Sequence, residues 1–345
     1  MKTVLPIAAM ASAVVATAPK CPLGPQAPLS CKNTTAIANT CCTEVQGQVL
    51  QVQFWDTDPA TGPADHWTIH GLWPDYCDGT YTQYCDESRQ YTNISCILEA
   101  AGREDILDFM EEYWKDEDGG DEAFWEHEWG KHGTCYSTLE PDCFTNYKPQ
   151  EEVVDFFNTT INLFQTLPTY DYLAAAGIYP SATKNYTNDE VMAALRKARG
   201  VNATLECDDG QLFEVYYTFS VKGSVADGVF VPEEPIGEGN GCPASLQYLP
   251  KNLTSRPQVS STTCANLPSS TSTSSTSSSS SHSTSHSTSH WTSHSSSHSS
   301  SHSTSESSSH PAHPTHPAHP THPAHPSHST SSLSAYPSLS AYPTY

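Results

Sequence analysis

The sequence predicts an α+β fold: a central, mainly antiparallel sheet flanked by helices, stapled by disulfides and followed by a disordered C-terminal tail. Three observations predict it. Strand-like and helix-like segments mix without regular βα alternation. Twelve cysteines lie in a chain that begins with a secretory leader. From about Ser269 the composition collapses to Ser, Thr, His and Pro, which offers almost nothing apolar to bury. The expected division is a signal peptide over 1–18, a folded body over 19–267 and the tail over 268–345.

The elements follow in order. Lys2, an apolar run from Val4 to Val15 and then Ala16-Thr17-Ala18 have the basic start, apolar middle and small-residue cleavage region of a signal peptide. The run is too short to span a bilayer. The β-branched and aromatic content of Val49 to Trp55 suits a strand. Trp67 to Trp73, read as a strand, sets Thr68, His70 and Leu72 on the face opposite Trp67, Ile69, Gly71 and Trp73. Apolar spacing predicts helices over 103–115, 150–166 and 188–198. Asn188, ahead of Asp189 and Glu190, is the expected cap of the third. Leu212 to Val221 is the best strand, rich in Tyr, Phe and Val. The tail repeats His-Ser-Thr-Ser-like and His-Pro-x units and reads as an O-glycosylated spacer, free or associated with a cell wall. Metal binding by its 13 His is the competing reading, which the composition favours less.

Charge restricts the function. The 345 residues carry 15 Lys and Arg against 38 Asp and Glu, a formal net charge of −23. With Lys2 and Glu306 set aside, 14 basic and 37 acidic residues remain in the body, which repels polyanions at neutral pH. This excludes a nucleic-acid-binding module that works through a basic face. It leaves room for an enzyme that grips a polyanion locally at a pH where carboxylates begin to protonate. Six Asn-x-Ser/Thr sequons begin at Asn33, Asn93, Asn158, Asn185, Asn202 and Asn252 and predict a glycoprotein. The C-terminus lacks the apolar stretch of a lipid-anchor signal, so no membrane association is expected. The chain should be released from the cell, with vacuolar delivery as the alternative.

Chemistry concentrates in two short clusters that hold the four body histidines: His66-Trp-Thr-Ile-His-Gly-Leu-Trp-Pro-Asp-Tyr-Cys77 and Phe124-Trp-Glu-His-Glu-Trp-Gly-Lys-His-Gly-Thr-Cys135. On a helix, Glu128 and His132 share a face and Lys131 lies three residues from Glu128. His127 is five residues before His132, one too many for a zinc-protease His-Glu-x-x-His pair, so no metal is expected. Two His, a Glu and a Lys without an activated Ser or Cys point to general acid and base work on a substrate that carries its own nucleophile. A ribose 2′-hydroxyl beside a phosphodiester is such a nucleophile, and DNA lacks it. The residues alone leave open which His is base and which acid.

Both clusters closely resemble the two active-site signatures of the ribonuclease T2 family, secreted or vacuolar acid endoribonucleases, and the resemblance extends over about residues 20–264. It implies that His132 is the base on the 2′-hydroxyl and His70 the acid for the leaving 5′-oxygen, with Glu128 and Lys131 stabilising the phosphorane and His127 contacting phosphate. It further implies a base pocket of Trp73, Asp75 and Tyr81 and a second one including Phe124. The products implied are 2′,3′-cyclic phosphates and then 3′-phosphates, made by a monomer from single-stranded RNA with low base specificity and no cofactor. The disulfides implied are Cys21–Cys42, Cys31–Cys77, Cys41–Cys143, Cys85–Cys135 and Cys207–Cys242, which leaves Cys96 and Cys264 to pair with each other. His127 and Lys131 have ion pairing as an alternative role. His66 is read as structural, and Trp67, Trp125 and Trp129 as core. A binding or signalling protein on a ribonuclease-like scaffold is the competing functional class.

Overall fold

A computed structural model describes residues 21, 27–32, 36–236, 241–257 and 264. The leader, Asn33 and the tail beyond 264, with the expectations placed on them, lie outside the described residues. In order the elements are β1 (Gln48–Phe54), β2 (Thr68–Asp75), α1 (Ile94–Ala100), α2 (Glu104–Tyr113), α3 (Asp121–Lys131), α4 (Glu151–Gln165), α5 (Thr169–Ala174), β3 (Asn185–Thr187), α6 (Asn188–Arg199), β4 (Thr204–Asp208), β5 (Gln211–Lys222), β6 (Val229–Pro232) and β7 (Ser245–Gln247).

The sheet is organised around β5, whose twelve residues pair antiparallel with β1 on one side and with β4 and then β6 on the other. β1 pairs antiparallel with β2, and a single parallel contact joins β5 to β7, which pairs with β3. The β4–β5 hairpin closes on Asp209-Gly210, both at positive φ (45° and 78°), the conformation a two-residue hairpin turn requires. The apolar stripe of α4 (Val153, Phe156, Phe157, Ile161, Phe164) packs with Val49, Ile69, Leu72, Val215 and Tyr217 of the sheet in the main core.

Helices expected over 103–115, 150–166 and 188–198 are α2, α4 and α6. The short α1 and α5 had no counterpart in the sequence, because seven and six residues hold too few turns for a 3.6-residue period to show. The cap of α6 is Thr187 rather than Asn188. Its hydroxyl accepts from the Glu190 N–H at 3.2 Å while the Glu190 carboxylate accepts from the Thr187 N–H at 2.8 Å, a reciprocal capping box.

All twelve cysteines are paired: Cys21–Cys42, Cys31–Cys77, Cys41–Cys143, Cys85–Cys135, Cys96–Cys264 and Cys207–Cys242. Of the sequons, Asn93, Asn185 and Asn252 are exposed, and Asn158 and Asn202 half-buried. Among the described residues no helix is long and apolar enough to cross a membrane.

Candidate active site

A break in strand register creates the site. Val52 pairs with Gly71 and Gln53 with Ile69, so β2 gains one residue, His70, on β1 at this point. Such a bulge bends the strand and re-aims its side chains. The strict alternation expected from the sequence therefore fails beyond His70, and the faces of Leu72 and Trp73 are exchanged. Leu72 joins Trp67 and Ile69 in the main core, while Trp73 packs with Leu50 and Val52 in a second cluster. The Trp73 ring now stands edge-on to His70, 4.6 Å between centroids.

The His70 imidazole is only 15% exposed and lies flat on Phe54, centroids 3.9 Å apart. Its Nδ1 hydrogen-bonds to Glu214 of β5. An ionised carboxylate can only accept, so Nδ1 carries the proton, and Nε2 faces Glu128 Oε1 at 3.6 Å. The carbonyl of the bulged His70 accepts from the Trp114 indole N–H at 2.9 Å.

The helix α3 reaches β2 through its side chains and supplies the rest. Acidic Asp121 and Glu122 occupy its first turn, where the helix dipole favours them, and Asp121 pairs with Lys115. Trp125 and Trp129 anchor α3 in the core, their indole N–H groups donating to the carbonyls of Trp114 and Arg89. Phe124 and Glu128 turn toward β2. The Glu128 side chain is 1% exposed, and its Oε2 accepts from the Trp73 indole N–H at 2.9 Å. This approach requires a glycine at 71, since a Cβ there would lie 1.9 Å from Glu128 Oε2 and 2.6 Å from Trp73 Nε1. His132 caps α3, its N–H donating to the Glu128 carbonyl at 3.1 Å, and its ring stacks on Trp73 at 4.7 Å and 14°. Both imidazoles thus touch one indole, which also holds Glu128.

Lys131, half-buried, ends α3 next to His132. His127 lies one turn earlier, its Nδ1 3.4 Å from the Tyr84 hydroxyl. Phe124 is buried 5.7 Å from the His70 ring. Tyr81 is half-buried in the segment between Cys77 and Cys85, which disulfides to Cys31 and Cys135 hold at both ends. Trp73 is 4% exposed, with its N–H and one face already engaged. Asp75 is 5% exposed opposite Gln48 on β1, and burial pushes its carboxyl up to about 7, against a smaller effect of the Gln48 hydrogen bond. The structure therefore gathers His70, Trp73, Phe124, Glu128 and His132, places Lys131 and His127 at the adjoining end of α3, and keeps Asp75 inside. His66 is exposed and bonded to Asp65 at 2.9 Å, away from this group. Trp67, Trp125 and Trp129 are core.

Sequence reasoning missed Glu214 and Phe54. The signal for Glu214 was a carboxylate in the middle of the most apolar strand, a position that demands a partner. Nothing marked Phe54.

Two imidazoles and a buried carboxylate around one indole, a lysine ending the same helix, and every cysteine tied up in a disulfide suit an acid–base enzyme for a substrate that carries its own nucleophile. Residues 34–227 match the family model of the ribonuclease T2 family. Ribonuclease Trv of Hypocrea rufa is 57% identical over 224 residues, 65% of this chain and 96% of that protein. A ribonuclease T2-like protein of Aspergillus fumigatus is 55% identical over 225 residues, 65% of this chain but only 55% of that one. Among solved structures, Actibind, a T2 ribonuclease, is 49% identical with a TM-score of 0.64, over 66% of this chain and 98% of that one. The chain belongs to the ribonuclease T2 family and is a metal-independent endoribonuclease of that type.

Proposed function

We propose that the protein is a secreted acid ribonuclease that cleaves single-stranded RNA with low base specificity. One observation supports an acid–base pair at a single centre: both imidazoles contact the Trp73 indole that holds Glu128, and the division of roles between them follows the family resemblance. His132 takes the proton of the 2′-hydroxyl, whose oxygen attacks phosphorus. Lys131 and Glu128 share the charge that develops on the phosphoryl oxygens, and His127 contacts phosphate. His70 gives its Nε2 proton to the 5′-oxygen as the P–O5′ bond breaks, leaving a 2′,3′-cyclic phosphate. In the slower second step the roles reverse: neutral His70 takes a proton from water, water oxygen bonds to phosphorus, and His132 protonates O2′ as a 3′-phosphate forms. Trp73, Asp75, Tyr81 and Phe124 provide the base contacts. Asp75, protonated below about pH 7, donates a hydrogen bond as well as accepting one.

The charge of −23 supports an acidic working pH, where repulsion of RNA eases and one imidazole is charged. The signal peptide over 1–18 supports release from the cell or delivery to the vacuole. The body over 19–267 acts as a monomer, and the tail over 268–345 is an O-glycosylated spacer, with N-glycans on the body sequons.

The test is cleavage of homopolymer RNAs and of DNA in EDTA across pH. RNA alone should be cut, fastest near about pH 5, with cyclic phosphates appearing first. His70→Phe and His132→Phe should each fold and lose about 100- to 10,000-fold in turnover. Substantial activity in both would sink the assignment.

A further inference from the structure

We propose that Glu214 is a positioning residue for His70, with Tyr216 as its second partner, and that the pair fixes which imidazole nitrogen reacts. The inference rests on His70 being the acid of the first step. Glu214 sits on β5 opposite Phe54 of β1 and opposite Glu206 of β4, so ladders on both sides hold its backbone. Its side chain is 5% exposed. One carboxylate oxygen accepts from His70 Nδ1 and the other from the Tyr216 hydroxyl. His70 is thus held in two ways, by its face on Phe54 and by its Nδ1 on Glu214, the side-by-side residues of two paired strands.

The groups facing the His70 ring are Glu128 from α3 and Glu214 from β5, with Tyr216 behind Glu214. Burial and the adjacent Glu214 hold the Tyr216 phenol far above its ordinary range, so its hydroxyl stays a donor to Glu214. Two consequences follow for the reaction. In the first step the carboxylate stabilises the imidazolium by Coulomb attraction. In the second step the neutral ring must keep its proton on Nδ1 so that Nε2 can receive one from water. Without Glu214 the ring can carry that proton on Nε2 instead, a tautomer that cannot act as base.

The experiment uses the full chain. Glu214→Gln should lower kcat about 10- to 100-fold with KM nearly unchanged, move the alkaline limb of the kcat/KM profile to lower pH, and slow cyclic-phosphate hydrolysis at least as much as RNA cleavage. Tyr216→Phe should act in the same direction by about threefold. Long-range 1H–15N spectra of the wild type should place the proton of neutral His70 on Nδ1, a readout that holds even if Glu214→Gln fails to fold. A native-like Glu214→Gln with unchanged turnover and pH profile, or a wild-type His70 protonated on Nε2, overturns the inference while His70→Phe remains inactive. Turnover by His70→Phe overturns the underlying role of His70 instead.

Discussion

Replacing Asp75 by Asn removes a titration that the fold makes costly. The carboxyl is 5% exposed, and burial raises it from 3.8 to about 7. Between these values the folded protein keeps a proton that the unfolded chain releases. The stabilisation is therefore complete below about pH 4 and is lost as pH rises through about 7. At 1.36 kcal/mol for each tenfold change in proton affinity, full ionisation costs about 4 kcal/mol, and about half of that if water reaches the relaxed site. Asparagine keeps the shape and carries no charge to bury. Thermal and urea unfolding of both proteins should agree closely near about pH 4. By about pH 8 the variant should be the more stable by about 2–4 kcal/mol, or roughly 4–16 °C in Tm for a body of this size. Asp155 and Asp56, raised by burial to about 7 and about 6, contribute the same sign to both proteins, so the difference isolates residue 75. Parallel pH curves for the two proteins would refute the buried-acid reasoning. The same variant tests base recognition separately, through relative rates on homopolymer RNAs.

Two further substitutions probe the frame. Gly71→Ala places a methyl group against Glu128 and Trp73; it should cost about 1–3 kcal/mol in stability and at least about tenfold in kcat as the Trp73–Glu128 bond is pushed apart, both measured on the same preparation. Replacing Cys96 and Cys264 together by Ser opens a bridge between residues 168 apart in sequence. The urea midpoint should fall by the equivalent of about 2–5 kcal/mol while kcat stays unchanged, because neither sulfur touches the site.

The two imidazole clusters were legible because each is a local unit. His70 and Trp73 lie on one strand, and Glu128, Lys131 and His132 lie within the last turns of one helix and its cap, so chain order alone places them near each other. Glu214 was not legible as a partner, because 144 residues separate it from His70 and only sheet pairing brings it across β1. Alternation in Trp67 to Trp73 looked regular because composition does not say where one strand gains a residue on its neighbour. For the same reason the sequence did not show how deeply the paired strands bury Asp75 and Trp73. Three strands, β1, β2 and β5, were legible to within a residue or two because β-branched and aromatic residues fill them, whereas β3, β4, β6 and β7, three to five residues each, carried no such signal. The pairing of twelve cysteines came only through family resemblance, since spacing leaves the connectivity open.

The bulge at His70 also makes catalysis a matter of phase. Deleting one residue from β2 would let the strand run in step with β1 along its whole length, a more regular and better paired sheet. It would also return Trp73 to the helix-packed side and remove the acid in the same stroke. The carbonyl of the inserted residue accepts from the Trp114 indole N–H, which reaches across to it. A stability-minded redesign that smoothed this irregularity would yield a sound β-sheet protein unable to cut RNA.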